Sequence, residues 1–260
     1  MRARSFVLAA GAIENARLLM LPTHINEAGI GNDHDLVGRN FSDHLYGQGR
    51  LLETRPPWRS KGEAFYTLAP ELQDKYAIPE LGILRLDENA KTKPGDAIVS
   101  AIAALADGGR EPHIANLAFY VETLCAPENR VSLSSKRDPF GNPRSELQFN
   151  FTSEMQETYT ASTELFARIS GQHGFGRVQL SEEPLYCANH HMNTTRMSDD
   201  PARGVVDSNG RVHGVSNLFA AGSSIFPSNG CGNPTFPLIA LTARLAVHLS
   251  AAFRRGDFDG

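Results

Sequence analysis

Two adjacent histidines, His190 and His191, stand in the stretch ANHHMNTTRMSDDP between Ala188 and Pro201. Two threonines, an arginine and two acids surround them, a polar density that neither a buried strand nor an amphipathic helix carries. An imidazole titrates near neutral pH, so a histidine here suits a general base that takes a proton from a hydroxyl. The same ring can also ligate a metal or face water in a surface loop. For a metal, the available rings are His190, His191 and His213. Adjacent histidines chelate one ion poorly, and no cysteine or carboxylate stands at a recognised ligand spacing, so no metal site is expected. His24, His34, His44, His113, His173 and His248 read as surface or hydrogen-bonded core residues.

A second chemical segment is GCGNPTFPLIALTARLAVHLSAAF. Asn233 suits a helix N-cap, Pro234 the first helical position, and Leu238, Leu241, Leu245 and Leu249 recur at helical spacing. An asparagine before a proline can instead turn its amide to a ligand, and both uses of Asn233 stay open. Upstream, Leu218 to Ala221 reads as a short buried strand that ends at Gly222 and Ser223. At the other end, Ser5 to Ala9 reads as a buried strand, Gly11 as a tight turn after Ala10, and Ile13 to Leu21 as a helix. Strand–glycine–helix geometry aims backbone N–H groups at a ligand beyond a strand end, or is simply a turn.

The elements between these ends have a different character. Residues 23–40 are rich in Gly, Asn, Asp and His and read as a loop or extended segment. RPPWRSKG and NAKTKPGD are turn-rich insertions, and His113 to Leu124 reads as a strand. NRVSLSSKRDPFGNPRSELQFNF reads as a β-hairpin or meander, and Ser153 to Gly171 as a helix anchored by Met155, Tyr159, Leu165, Phe166 and Ile169. GVVDSNGRVHGV sets Val205 and Val206 against Val212 across the Asn209–Gly210 turn. The fold class expected is mixed α/β, with an antiparallel-sheet middle, residues 46–180, between α/β segments at 1–45 and 181–260.

Composition bounds the function. The chain has 260 residues, 41% hydrophobic and 21% charged, with a net charge of -4, which supports a sizeable core and disfavours disorder or nucleic-acid binding. No run approaches 18 uninterrupted apolar residues, so no membrane segment is expected. Cys125, Cys187 and Cys231 are dispersed and read as free thiols. The basic and apolar start superficially resembles a signal peptide, but Glu14, Asn15 and Arg17 interrupt it, and it reads as a core strand feeding a helix. A chain that opens on a core strand reads as one whose beginning is missing. Whether its compartment is cytoplasmic or periplasmic is open.

Several of these segments together resemble the glucose-methanol-choline (GMC) family of flavin oxidoreductases. FVLAAGAIENARLLM resembles the family's second signature, and LVGRNFSDHL the segment after it. PENRVSLSSKRDPFGNPRSEL is similar to a strand and turn of its substrate domain. The segment from His190 to Leu249 is similar to its C-terminal signature. The resemblance implies a partial Rossmann-like FAD-binding domain interleaved with an antiparallel-sheet substrate domain. It implies FAD as cofactor and oxidation of the CH–OH group of an alcohol or sugar. The family's active histidine is separated by two residues from a Gly-Thr pair, which matches His190 as base, and its His or Asn before Pro-Thr matches Asn233 as partner. Ala10 and Gly11 match contacts to the nucleotide half of FAD. Gly222 and Ser223 match contacts to its ribityl or phosphate region, and Asn233, Pro234 and Thr235 the helix start at the flavin edge. His44, in DHL, is implied to lie near the active site.

The chain departs from the family where Asn193 and Ser198 replace glycine, and a side chain at Asn193 is expected to narrow the substrate space or shift the His190 loop. It also contains no GxGxxG, the loop that wraps the FAD pyrophosphate. The resemblance therefore covers roughly the C-terminal half of such an enzyme. The alternative to an active half is a catalytically inert remnant, or an interaction half needing a separate N-terminal FAD-binding half or subunit. Substrate identity and electron acceptor stay open.

Overall fold

The computed structural model describes residues 3–22, 26–53, 64–86, 113–123 and 125–258. The two turn-rich insertions, His24 and the side chain of His113 lie outside the described residues. Strand β1 (Phe6–Leu8) feeds helix α1 (Gly11–Met20), and β1 lies parallel to β10 (Leu218–Ala220), with Phe6 opposite Leu218 and Leu8 opposite Ala220. Helix α1 forms because Ala, Leu, Glu and Arg dominate it, with Glu14 toward its start and Arg17 toward its end, each favoured by the helix dipole. It buries Ala12, Asn15, Ala16, Leu19 and Met20. Of these, Ala16, Leu19 and Met20 pack with Val37, Phe41, Val131, Met192, Val205, Val206, Val212, Ile225 and Phe226 in one core.

The middle of the chain builds a mainly antiparallel sheet. Strand β2 (Leu45–Glu53) is central. On one side lie β5 (His113–Val121), β4 (Leu81–Leu86) and β3 (Ala64–Thr67), and on the other β8 (Gly176–Leu180) and β9 (Tyr186–Cys187). A short helix, α2 (Pro70–Tyr76), joins β3 to β4. Alternation along β2 sends Leu45, Gly47, Gly49 and Leu51 to one face and Tyr46, Gln48 and Arg50 to the other. Helix α3 (Ser153–Gln172) covers the first face, so Met155, Tyr159, Leu165 and Phe166 form a second core with Leu45, Leu51, Leu81, Ile83, Phe119 and Val121. Thr152 caps α3 through the Met155 N–H at 3.1 Å. Gly47 is required here, because a Cβ at that position would meet the Tyr159 hydroxyl at 1.9 Å.

A hairpin of β6 (Arg130–Arg137) and β7 (Pro143–Gln148) lies against α1. Arg17 holds its turn, reaching Asp138 at 2.7 Å and the Pro143 carbonyl at 2.7 Å. The expected hairpin, the covering helix and the Val206–Val212 pairing across Asn209–Gly210 are therefore all present.

Helix α4 (Thr235–Arg255) closes the chain. Leu238, Leu241, Leu245 and Leu249 turn inward as their spacing predicts. Its opposite side leaves Phe236 at 82% and Val247 at 72% exposure. This helix meets the length and apolarity of a membrane span, with a mean hydropathy of 1.5 over its most apolar window, although no uninterrupted apolar run marks it in the sequence. The start of α4 corrects one expectation. The helix begins at Thr235 with Pro234 in the cap position, and no side chain caps it, so Asn233 is not the N-cap. Pro237 has no N–H to give the Asn233 carbonyl, so the first helical bond is the one from Leu238 to the Pro234 carbonyl at 2.9 Å, which shifts the boundary one residue along.

Candidate active site

His190 lies where the sheet meets the first core. Its backbone N–H donates to Asp43 Oδ1 at 2.8 Å, and its ring Nδ1 is 2.8 Å from Nδ1 of His44. The ring stacks on Tyr120, with centroids 6.1 Å apart and planes 24° from parallel. Burial holds the His190 imidazole below its ordinary pKa, against an upward pull from Asp43 and with a further downward push from His191. The ring therefore stays neutral, and able to accept a proton, below the pH at which a free histidine charges.

The neighbouring residue has a different task. His191 packs its ring on Phe41 at 5.3 Å, and its Nε2 stands 3.8 Å from Asp43 Oδ2. Its carbonyl accepts the Ser223 hydroxyl at 2.7 Å. Ser223 therefore points its hydroxyl into the protein and ties the histidine loop to the end of β10.

Asp43 and His44 sit at the foot of β2 and are both buried. Burial pushes His44 below the ordinary histidine range, and the nearby His190 pushes it further, while the backbone at Asn229 and Gly230 and the Asp43 carboxylate oppose the shift. The Asp43 carbonyl accepts the Thr123 hydroxyl at 2.8 Å, and Thr123 pairs with the Asn229 amide. Farther along the same segment, Gly230 N–H donates to Glu122 at 3.1 Å and Cys231 N–H to Glu80 at 3.1 Å. The sheet and the segment leading to Asn233 are thereby pinned together.

Cross-strand register builds a row of tyrosines beside His190. Tyr186 of β9 faces Tyr46 of β2, Tyr46 faces Tyr120 of β5, and Tyr120 faces Gly82 of β4. Ring centroids are 4.5 Å apart for Tyr46–Tyr186 and 5.1 Å for Tyr46–Tyr120, within aromatic contact. Phe65 of β3 lies over Gly82, where a Cβ would meet its ring at 2.4 Å, and extends the row. Phe65 and Tyr186 are exposed, so the row forms a solvent-reached aromatic floor on the sheet face opposite α3.

At the far side of the first core, β1 and β10 end together. Asn15, fully buried, accepts the Ala10 N–H at 2.8 Å and donates to the Ala221 carbonyl at 3.0 Å and to Ser224 Oγ at 2.9 Å. Beyond this clasp Gly11 and Gly222 have φ of +84° and +105°, and a Cβ on either would meet nothing within 4 Å. Ala10 and Gly11 are exposed. The paired strand ends thus form an open, small-residue cradle, which fits a nucleotide cofactor approaching the backbone. Asn233 is exposed, and among the described residues its side chain has no hydrogen-bond partner. Pro234 and Pro237 have no N–H, so Thr235 and Phe236 carry the free N–H groups at the positive end of α4.

Asn193 corrects one of the two effects expected of it, the narrowing of the substrate space. It is fully buried with φ +72°, its amide donates to the Phe226 carbonyl at 2.8 Å, and its oxygen accepts the Ser42 hydroxyl. The side chain points inward as a fastener and does not narrow the substrate space. Among the described residues no cluster of three or more His, Cys, Asp or Glu could hold a metal.

Sequence reasoning singled out His190, Asn233 and the small residues at the strand ends. It missed Asp43, Asn15 and the tyrosine row. Asn15 had a readable signal, an amide on the apolar stripe of α1. The tyrosines had none, because their meeting depends on register between strands far apart in sequence.

The GMC oxidoreductase family model matches residues 126–242. Over 98% of its length the chain is 28% identical to the fructose dehydrogenase large subunit of Gluconobacter japonicus, covering 48% of that protein. It is 30% identical to paromamine 6'-oxidase of Streptomyces fradiae, with 94% of this chain and 45% of that one aligned. The chain thus spans about half the length of the curated relatives it matches. Among solved structures, pyridoxine 4-oxidase from Mesorbium loti superposes with a TM-score of 0.58 at 22% identity, over 94% of this chain and 51% of that one. A formate oxidase does so with a TM-score of 0.59 at 17% identity, over 98% and 55%. Both show a shared fold.

Proposed function

Because the chain belongs to the GMC oxidoreductase family, we propose that it supplies the substrate-facing, C-terminal half of an FAD-dependent enzyme that oxidises the CH–OH group of an alcohol or sugar. The observation that carries this reading is the seat of His190. Its ring lies against the aromatic floor through Tyr120, and its loop is tied by Ser223 to the strand ends that form the cofactor cradle.

Each residue then has a task. His190 accepts the hydroxyl proton of the substrate, and its lowered pKa keeps it neutral for that step. Asn233, unspent as a cap, hydrogen-bonds the hydroxyl and orients it toward His190. The tyrosine row packs the carbon skeleton and excludes water. Ala10, Gly11, Gly222 and Ser223 hold FAD through backbone and small side chains, and Pro234 and Thr235 bring the positive start of α4 to the flavin edge. Bound FAD supplies the hydride acceptor. The division at residues 45 and 180 follows the same reading, with residues 46–180 as substrate domain.

The second reading is an inert remnant, or an interaction half that needs a separate N-terminal FAD-binding half. One experiment separates them. The chain is purified with added FAD and assayed for bound-flavin absorbance and alcohol-dependent dye reduction, alone and with a polypeptide carrying the GxGxxG half of a relative. Turnover in either arm supports the enzyme reading. Absence of flavin binding and turnover in both arms sinks it.

A further inference from the structure

We propose that His44 is a positioning residue that fixes the tautomer of His190, accepting a hydrogen bond from the His190 Nδ1–H and leaving the lone pair on His190 Nε2. The claim rests on the reading of His190 as base. Its geometry is the 2.8 Å approach of the two Nδ1 atoms. At that distance one nitrogen must carry the proton and the other the lone pair. The question is which ring donates.

The reading of His190 as base answers it. A base that takes the substrate proton needs its lone pair on the nitrogen that does not face His44, so a neutral His190 carries its one proton on Nδ1 and donates it to His44 Nδ1. His44 is fully buried and then keeps its own proton on Nε2, an atom with no hydrogen-bond partner among the described residues. The backbone of Asn229 and Gly230 favours a protonated His44 ring. The proton of a neutral imidazole is thereby spent, and Nε2 is the only basic atom left on His190. When the substrate O–H bond breaks, the new N–H bond forms at that atom, while the Nδ1–H bond to His44 persists unchanged.

His44 is itself held. Asp43 beside it takes the His190 backbone N–H, Thr123 takes the Asp43 carbonyl, and Glu122 holds Gly230 in place. The His44 ring is thus fixed relative to both partners, which a tautomer lock requires.

The test is two-bond proton–nitrogen NMR on histidine-labelled chain at a pH above the titration of either ring. In the natural sequence His190 is expected with its proton on Nδ1 and a pyridine-type Nε2. His44→Asn retains an acceptor near the same place and is expected to preserve that pattern. His44→Leu is expected to release His190 into a mixture of tautomers, with the backbone amide spectrum confirming the fold. A His190 that carries its proton on Nε2 in the natural sequence would overturn the proposal. So would a pattern indifferent to His44→Leu. Should the leucine variant fail to fold, the natural sequence and His44→Asn still decide. In the enzyme reconstituted with its other half, His44→Leu should lower kcat about 10- to 100-fold with little change in KM, and His44→Asn should restore most of it. If His190→Ala leaves turnover intact, the reading of His190 as base fails, whereas the NMR result stands on its own.

Discussion

Asn15 donates to Ser224 at 2.9 Å across 209 positions of sequence, and the same side chain holds the Ala10 N–H and the Ala221 carbonyl. One buried amide therefore joins the ends of two parallel strands at the point where the proposed cofactor cradle opens. Replacing it by Ala strands three partners in or near the core. Asn15→Ala should cost about 3 kcal/mol, since each buried polar group left unpaired costs roughly 1–3 kcal/mol. Urea unfolding of the chain measures this, and a loss under about 0.5 kcal/mol would show that the clasp contributes little.

His190 and His191 should separate cleanly in the reconstituted enzyme. His190→Ala is expected to lower kcat about 100- to 10,000-fold, the usual range for a general base. His191→Ala loses a ring packed on Phe41 but keeps the backbone carbonyl that Ser223 holds, and should cost far less. Steady-state rates with an alcohol and a dye acceptor decide. The reverse order would assign the base to His191.

Asn233 offers a test in which activity and stability part. Its side chain caps no helix, so Asn233→Ala should leave stability within about 0.5 kcal/mol, as at an uninvolved surface site. Turnover should fall about 10-fold or more through loss of substrate orientation. Parallel melting curves and rates check both, and an unchanged rate would remove Asn233 from the site.

Acid should weaken the fold. His44 and His190 are both held below the ordinary value of 6.5 by burial. Between that value and their folded values the unfolded chain binds more protons than the folded one, so stability is full above about 6.5 and declines as the pH falls below it. Denaturation midpoints across this window should drop in the natural sequence and drop less in His44→Asn. Activity of the reconstituted enzyme should persist below the pH at which a free histidine charges.

At Asn193 the backbone and the side chain make opposing demands. Its φ of +72° favours glycine, while its amide is spent on Phe226 and Ser42 inside the core. Asn193→Gly relieves the first and loses the second. Asn193→Ala loses the hydrogen bonds and keeps the strain, which costs roughly 1–2 kcal/mol for a side chain in the left-handed region. Alanine should therefore be the less stable of the two by chemical denaturation, and equal stabilities would refute this balance.

Local patterns made much of this molecule legible. The leucine spacing of α4, the anchors of α3 and the Asn209–Gly210 turn each depend on neighbours a few residues away. The small residues at Gly11 and Gly222 could be read as strand ends, because strand, glycine and helix follow one another directly. What stayed hidden depends on distant register or on direction. Tyr46, Tyr120 and Tyr186 meet only once β2 pairs with β5 and β9. Asn193 was read as narrowing the substrate space or shifting the His190 loop, and its inward direction stayed hidden because its type was visible and its backbone torsion was not. Asn233 suited a cap in the sequence, but Pro237 cannot donate to its carbonyl, and the first helical bond falls one residue later.

The pairing of β1 with β10 also sets an order of events during synthesis. Closing a loop of about 200 residues costs roughly 5 kcal/mol of chain entropy before any contact offsets it. At a ribosomal pace of roughly 5–20 residues per second, β1 and α1 wait about 10–40 s for their partners to be made. During that interval Ala16, Leu19 and Met20 lack Val205, Val206 and Ile225, with which they finally share a core. The sheet of residues 45–180 can fold within the wait and bring the two ends of its span together. The first core is therefore completed last, and a nascent chain stalled short of β10 would leave the part of α1 that packs toward Val205, Val206 and Ile225 uncovered, a natural target for chaperones.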